Sequence, residues 1–265
     1  MSNLPPHNEY SGKLEKARLL EQKVKLQREL PHLYGWKWYK WARQFFESRN
    51  KYNFLVAANQ ISKSSTQIRK CIHWATAKDL WPSLWRTDPL QFWYLYPTKG
   101  VATIEFYKKW VPQFLPRGEM KQDPVYGWRE EVKDKYIHAI HFNSGVSIYF
   151  KTYGQDVKDL QTGTVDAMWL DEEVDDVLYP ELNMRIQAVD GYFHMVFTAT
   201  LGQEFWRETM EEQGTKLERF PDAFKQQISM YECLTYEDGT PSHWTEARIE
   251  RVKNSCSTQA EIDKR

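Results

Sequence analysis

The chain has 265 residues, of which 41% are hydrophobic and 27% charged, and its 36 basic residues balance its 36 acidic residues. This length and composition fit a soluble globular chain that folds as one large domain or as a domain with a small lid, and they exclude intrinsic disorder. A net charge of zero excludes a protein whose whole surface binds nucleic acid, so any contact with DNA must come from a local patch.

The cysteines and the apolar segments indicate the cellular setting. Cys71, Cys233 and Cys256 are odd in number and far apart, which argues against a disulfide framework and a structural zinc and fits a reducing cytosol. The apolar runs are too short to span a membrane, and the polar N-terminus is unlike a signal peptide. The twelve tryptophans are expected mainly in the core and at interfaces.

The first part of the chain is predicted to hold two helices and then a strand, a loop and a third helix. Leucines at helical spacing in a charged stretch predict a helix over residues 13–30, and an aromatic-rich stretch predicts another over 36–48. The apolar run 54–58 is short enough to be a strand, and the helix after its polar loop is expected to end near residue 78.

The middle of the chain is predicted to contain a strand, a helix and a β-hairpin. The apolar run 92–96 indicates the strand, and helical periodicity follows from residue 101 to about 114. Apolar and polar residues alternate over 136–142 and 146–151, on both sides of a short turn, which predicts the hairpin.

The last part is predicted to continue this alternation of strands and helices. The expected strands are 165–170, 192–198 and 224–231, and the expected helices are 179–188, 203–212, 246–253 and 259–264.

Strands that alternate with helices predict an α/β fold with a mostly parallel sheet covered by helices on both faces. Glycines and prolines between residues 214 and 241 predict a boundary in the chain. The expected domains are a helical extension over 1–32, a core over 33–213, and a small C-terminal lid or linker over 214–265.

A phosphate-binding loop is predicted between the first strand and the helix after it. The pattern is a small residue, four free positions, glycine, lysine and a hydroxyl residue; Ala57, Lys63 and Ser64 match it, whereas Ser62 replaces the glycine. Backbone N–H groups of such a loop wrap phosphates at a helix N-terminus. Lys63 is then expected to neutralise the β- and γ-phosphates and Ser64 to ligate Mg²⁺. The ordinary alternative is a polar loop with a solvated lysine.

Acidic residues follow the strand predicted over 165–170. Asp171 stands at its carboxyl end, where it suits a role in binding Mg²⁺, and Glu172 is placed to polarise an attacking water as a general base. The ordinary alternative is an acidic loop favoured by a helix N-terminus. The position of these acids about a hundred residues after the loop favours the functional interpretation.

Hydroxyl residues also follow the next strand, in the run Thr198-Ala199-Thr200. Short hydroxyl side chains at that place can sense the γ-phosphate and pass its loss to neighbouring elements. The ordinary alternative is that threonine is simply common at strand ends.

The histidines are expected to be ordinary packing or exposed residues rather than ligands of a metal site. His138 and His141 are three residues apart in a predicted strand and are therefore expected on opposite faces. His73 and His194 are likewise expected to be ordinary packing or exposed residues.

The ordered set of motifs resembles the large subunit of phage and prophage terminases. Their phosphate loop has the form Ala-Asn-Gln-Ile-Gly-Lys-Ser, which residues 58–64 match except at Ser62. Residues 152–155 and 162–173 correspond to their Tyr–Gln and Gly–Thr run leading into Asp-x-x-Trp-Leu-Asp-Glu-Glu, and residues 198–200 to their coupling Thr-Ala-Thr. The resemblance runs from about residue 33 to the C-terminus and is specific in these motifs.

The resemblance implies the ATPase domain of a DNA-packaging motor, with a P-loop NTPase fold of the ASCE (RecA-like) class that binds ATP and Mg²⁺. It also implies roles for particular residues. Mg²⁺ is expected to bind at Ser64 and Asp171, and catalysis is expected at Lys63 and Glu172. Coupling to DNA movement is expected at Thr198, Ala199 and Thr200. The residues expected to bind ATP are Asn59, Gln60, Ile61, Ser62, Lys63, Ser64, Ser65 and, on the adenine side, Gln44.

The partners implied by the resemblance are double-stranded DNA, a portal protein and a small terminase subunit. The chain is expected to form a pentameric ring on the procapsid, to be monomeric in isolation, and to work in the cytoplasm of a bacterial host. Because terminases continue into a nuclease domain and this chain stops at Arg265, we expect a shortened chain or a split gene product without nuclease activity.

Two departures from the family pattern affect the expected activity. Ser62 is expected to crowd the phosphates or to resist a positive φ. Gln60 stands where many terminases have an arginine, so a charge-stabilising arginine must come from a neighbouring subunit or from elsewhere in this chain. The candidates in this chain are Arg43, Arg69, Arg129 and Arg185.

Weak hydrolysis is therefore expected of the isolated chain. The alternatives are a helicase-like translocase of superfamily two, which needs a second RecA-like domain, and an assembly scaffold that binds nucleotide poorly, which only Ser62 supports.

Overall fold

A computed structural model describes residues 7–85, 89–155, 160, 163–175, 177–198, 220 and 222–258. The helices of this described part are α1 (His7–Glu29), α2 (Lys40–Glu47), α3 (Lys63–Thr76), α4 (Lys99–Glu105), α5 (Tyr179–Gln187) and α6 (Glu246–Asn254). Its strands are β1 (Tyr52–Ala57), β2 (Gln91–Tyr96), β3 (Trp128–Lys133), β4 (Tyr136–Phe142), β5 (Ser147–Thr152), β6 (Ala167–Asp171), β7 (Tyr192–Phe197) and β8 (Phe224–Ile228).

All of these strands belong to one sheet, in the order β3-β4-β5-β2-β6-β7-β1-β8. Neighbouring strands from β5 to β8 are parallel, whereas β4 runs antiparallel to both β3 and β5. The α/β fold with a mostly parallel sheet is therefore confirmed. Because β7 lies between β1 and β6, the carboxyl ends of these three strands meet at the same edge of the sheet.

The core packs on both faces of this sheet. On one face, Ile68 and Trp74 of α3 pack with Trp110 and alternate residues of β2. On the other face, Leu182 of α5 packs with Phe193 of β7 and its neighbours. Every residue of β6 and β7 is buried, which explains why these strands read as continuous apolar runs rather than alternating ones.

Most predicted elements are found within a few residues of their expected bounds. The helix predicted over 36–48 begins only at Lys40, and the residues before it lie outside regular structure. Strand β3 was not predicted, because its charged and exposed side chains on the sheet edge hide the apolar pattern of a strand. The helices predicted over 203–212 and 259–264 and the boundary near residue 214 stay predictions, since they involve residues outside the described part.

The helix predicted to run to residue 114 changes its hydrogen bonding on the way. After α4 the chain continues as a π-helix, Phe106–Phe114, which contains Pro112. The amide of Leu115 donates to the carbonyl oxygen of Trp110 at 2.8 Å, a bond that spans five residues. Such wide turns occur often at functional sites.

The prediction that His138 and His141 face opposite sides is wrong. Glu131 pairs with Ala139 and Val132 with Ile137, so a β-bulge leaves His138 unpaired and shifts the alternation of side chains. The rings of His138 and His141 both contact Tyr149, at 5.7 and 6.1 Å between centroids.

Two kinds of feature are absent from the described residues. No group of three His, Cys, Asp or Glu residues among them is placed to hold a metal ion. None of the helices described is both long and apolar enough to cross a membrane.

Candidate nucleotide site at the carboxyl edge of the sheet

The loop between β1 and α3 has left-handed backbone angles at two non-glycine residues. Gln60 and Ser62 have φ values of 63° and 76°, and Ser62 caps α3 in the left-handed conformation. The structure thus shows Ser62 in the positive φ that it was expected to resist, at a cost of about 1–2 kcal/mol for a residue with a Cβ. Ile61 is fully buried among side chains of α2, which fixes the loop to the core, while the side chain of Gln60 is exposed.

Lys63, the first residue of α3, contacts side chains from each of the three predicted motifs. Its side chain is only 6% exposed, and its Nζ donates to Asn59 Oδ1 at 3.3 Å and to Thr198 Oγ1 at 2.6 Å. Glu172 Oε1 lies 3.8 Å from the same nitrogen. Burial lowers the pKa of Lys63, and the charges of Glu172 and Asp171 oppose that shift. Residues from three separate motifs therefore meet at one ammonium group.

Ser64 and Asp171 form a pair of oxygen ligands suited to a divalent cation. The Ser64 hydroxyl donates to Asp171 Oδ1 at 2.7 Å. Burial raises the pKa of Asp171 to about 6, and the hydrogen bond from Ser64 opposes the shift. Mg²⁺ is typically bound by one or two protein oxygens together with phosphates and waters. A buried carboxylate with a raised pKa beside a hydroxyl fits such an ion, because the cation would stabilise the ionised form.

Glu172 is held beside this pair in a strained conformation. Its φ is 80°, its amide donates to the carbonyl oxygen of Val196 at 2.9 Å, and its Oε2 accepts from the amide of Thr198 at 3.3 Å. Its side chain is 45% exposed, so solvent can reach the carboxylate. This position suits a group that accepts a proton from water.

Two contacts that sequence reasoning missed hold the end of β6. The Tyr153 hydroxyl lies 3.0 Å from the carbonyl oxygens of both Asp171 and Glu172. Gln67 Nε2 on α3 donates to the carbonyl oxygen of Leu170 at 2.9 Å. In the sequence, Tyr153 is part of the Tyr–Gln run but carries no sign of this role, since the contact joins elements that are distant along the chain.

The other predicted site residues have different outcomes. Ser65 lies in the first turn of α3, next to Ser64. Gln44 is exposed on α2, and its Oε1 accepts from Gln226 Nε2 at 2.7 Å. Ala199 and Thr200 lie outside the described residues, so their coupling role stays a prediction.

An aromatic cleft of about 410 Å³ lies beside the loop. It is lined by residues 36–39, by Ser62 and Arg69, and by Tyr236 and His243 from the C-terminal part. Tyr39 and Tyr236 stack with 4.9 Å between ring centroids. The sequence indicated the aromatic stretch but gave no sign that Tyr236 and His243 would join it.

Arg69 is the only one of the four candidate arginines that lines this cleft. Its guanidinium carbon lies 4.4 Å from the ring centroid of Trp36 and 4.1 Å from that of Trp38. Burial lowers its pKa to about 9. Arg43 and Arg185 each pair with glutamates, and Arg129 lies on β3 in the outer part of the sheet.

The fold is similar to that of phage terminase ATPase domains. The ATPase domain of the large terminase of Thermus phage P74-26 superposes with a TM-score of 0.59 and 14% identity, over 88% of this chain and 94% of that chain. A point-mutant form of the same domain gives a TM-score of 0.57 and 15% identity, over 86% and 91%. No protein-family model and no curated protein matches the sequence. At this low identity the likeness establishes a shared fold, and it agrees with the resemblance in motifs.

Proposed function

Starting from this likeness in fold, we propose that the chain is the ATPase motor domain of a phage-type terminase large subunit. In this proposal it binds ATP with Mg²⁺ and couples hydrolysis to the movement of double-stranded DNA into a procapsid. The observation that carries the proposal is the meeting of Lys63, Ser64, Asp171, Glu172 and Thr198 at the carboxyl ends of β1, β6 and β7. Ligands of parallel α/β folds bind at this edge.

The proposed chemistry uses these side chains in distinct ways. The loop amides and Lys63 bind the β- and γ-phosphates, and Ser64 and Asp171 hold the cation. Bound Mg²⁺ supplies positive charge against the charge that develops on the phosphoryl oxygens. Glu172 orients the attacking water and accepts its proton, which needs an exposed carboxylate near the phosphate lysine.

The aromatic cleft is proposed to hold the nucleobase. Its lining is rich in aromatic side chains that can contact a base, and it includes Ser62 of the proposed phosphate loop, so a base and its phosphates can bind at once. In this proposal the base lies in the cleft beside Trp36, Trp38 and Tyr236. The predicted adenine contact of Gln44 remains a separate proposal, because the described partner of that side chain is Gln226.

The proposal also includes movement of double-stranded DNA and assembly of the subunits into a ring. A neutral chain can contact duplex DNA through a local patch, and a ring of subunits lets one subunit supply the charge-stabilising arginine to the next. The portal protein and the small terminase subunit are the proposed protein partners.

A nucleotide-binding and turnover assay tests the core of the proposal. We expect the wild type to bind a fluorescent ATP analogue with Mg²⁺, Lys63→Ala to bind it at least tenfold more weakly, and Glu172→Gln to bind it but lose most turnover. Glu130→Gln, an exposed carboxylate on β3, is the matched control and should behave as wild type. Undiminished turnover by Glu172→Gln would show that the base is wrongly assigned. No binding by the wild type at millimolar nucleotide would overturn the proposal.

A further inference from the structure

The side-chain oxygen of Asn59 bridges two residues of the proposed site. Asn59 Oδ1 accepts one hydrogen bond from Thr198 Oγ1 at 2.6 Å and a second from Lys63 Nζ at 3.3 Å. Lys63 also donates to Thr198 Oγ1 at 2.6 Å, so the three side chains form a closed triangle. The bonds are chemically consistent, since an amide oxygen accepts two bonds while a hydroxyl donates one and accepts another.

This triangle uses two of the three N–H groups of Lys63, and Glu172 Oε1 lies 3.8 Å from the same nitrogen, so a triphosphate must replace some of these partners. A buried ammonium group must have hydrogen-bond acceptors, and Lys63 takes two neutral ones from its own chain. Phosphate oxygens are charged, and a charge-assisted hydrogen bond is about twice as strong as a neutral one. Asn59 and a bound triphosphate therefore compete for the same ammonium group, and the phosphate is the stronger acceptor.

Thr198 extends the triangle to the proposed base. Its hydroxyl belongs to the triangle, while its amide donates to Glu172 Oε2 at 3.3 Å. Thr198 is only 8% exposed, so its position depends on these partners rather than on solvent. A change in the hydrogen bonds of its hydroxyl group is therefore expected to shift the carboxylate of Glu172.

We propose that Asn59 is a positioning residue that holds Lys63 and Thr198 in competition with the nucleotide. When phosphate oxygens take Lys63, the triangle opens, and Thr198 no longer fixes the carboxylate of Glu172 in its present place. Binding of phosphate at the loop thereby changes the position of Glu172, the proposed general base, and of the end of β7. This inference rests on the proposed function and adds to it a means of regulating the same site.

The first test measures nucleotide affinity. Asn59→Ala removes the competing acceptor, so its dissociation constant for AMP-PNP with Mg²⁺ should be lower than that of the wild type by about 2–10-fold, the worth of one neutral hydrogen bond. Asn183→Ala is the matched control, because Asn183 likewise accepts one hydroxyl hydrogen bond, from Tyr52 on the other face of the sheet. That control should leave the affinity unchanged. Equal or weaker binding by Asn59→Ala would overturn the inference.

The second test is a double-mutant cycle on the melting temperature Tm of the full chain. Without nucleotide, the sum of the Tm losses of Asn59→Ala and Thr198→Val should exceed the Tm loss of the double variant, since both single changes break the same hydrogen bond. With saturating AMP-PNP and Mg²⁺ the losses should become additive, because the bond is already open. A merely structural contact would give the same non-additivity in both states, which would overturn the inference.

The two tests also separate the possible failures. If the wild type bound no nucleotide, the proposed function would fail and this inference with it. If the wild type bound nucleotide but the coupling between Asn59 and Thr198 persisted in the bound state, only the inference would fail.

Discussion

Three non-glycine residues of the site have backbone angles that residues with a Cβ rarely adopt. Gln60, Ser62 and Glu172 have φ values of 63°, 76° and 80°. Each costs free energy and persists only where the surrounding structure imposes it, and such residues cluster at functional sites. Asp134, Lys135 and Asp190, at turns elsewhere, also have positive φ, so backbone strain agrees with the proposed phosphate loop and base but does not by itself identify them.

Replacement of Ser62 by glycine tests this strain. Glycine adopts a positive φ without a Cβ clash, so Ser62→Gly should raise the free energy of unfolding by about 1 kcal/mol. The same change at Ser65, inside the first turn of α3, should lower it by about 0.5–1 kcal/mol, since glycine weakens a helix. Urea denaturation measures both values. A loss of stability in Ser62→Gly would contradict the assigned conformation.

At the scale of single residues, the sequence predicts the side chains of the proposed site but not the residues whose hydrogen bonds position them. Lys63, Ser64, Asp171 and Glu172 stand out because their order along the chain has chemical meaning. Tyr153 does not, because its role depends on hydrogen bonds to a strand end 18 residues further along. The same holds for Tyr236 and His243, which reach the aromatic cleft only through the fold.

Among the elements, the turn after β5 and the end of β6 depend on each other through one hydroxyl group. Tyr153 lies in that turn, and its hydroxyl contacts the carbonyl oxygens of Asp171 and Glu172. The acidic pair is therefore held from outside β6 as well as by the sheet.

Removal of this hydroxyl should affect catalysis more than binding. Tyr153→Phe keeps the ring but leaves two carbonyl oxygens without their donor, which costs about 1–2 kcal/mol of stability. In the proposed enzyme kcat should fall several-fold while KM changes little, because Glu172 shifts and the phosphate loop does not. Tyr107→Phe, on the exposed side of the π-helix, is the control. A change confined to KM would argue against this role for Tyr153.

The helices and strands could be predicted where burial requires a recognisable pattern of apolar residues in the sequence. Strands β1, β2, β6 and β7 are short apolar runs because helices or loops cover both faces. Strand β3 lies at the sheet edge, where side chains such as Glu130 face solvent and no apolar pattern forms. The bulge at His138 and the π-helix after α4 depend on pairing and packing, which the order of residues does not reveal.

At the scale of the whole molecule, buried histidines contribute to the response of stability to acid. Burial lowers the pKa of His73 to about 4, and it lowers the pKa values of His32 and His194 as well. These rings are neutral in the fold but titrate near 6.5 when unfolded. Their contribution to stability is therefore complete above pH 6.5 and is lost as the pH falls toward the folded pKa. Asp171, with its raised pKa, acts in the opposite direction between about pH 4 and 6.

The His73 contribution can be isolated by substitution. His73→Asn keeps an acceptor for the indole N–H of Trp81 but cannot be protonated. Between pH 7.5 and 5, the variant should lose about 2 kcal/mol less unfolding free energy than the wild type loses. His243→Asn, at an exposed histidine, is the control. Denaturant titrations at the two pH values give the comparison, and identical losses in wild type and His73→Asn would contradict the prediction.

The arginine held between two indole rings also gives the molecule a natural optical signal. Trp36 and Trp38 are only partly buried and flank Arg69 at the wall of the aromatic cleft, whereas nine other described tryptophans are buried. A small soluble quencher such as acrylamide should therefore reach the fluorescence of these two rings first. A base bound in the cleft would shield them, so the loss of quenching would report occupancy without a label on either the protein or the nucleotide.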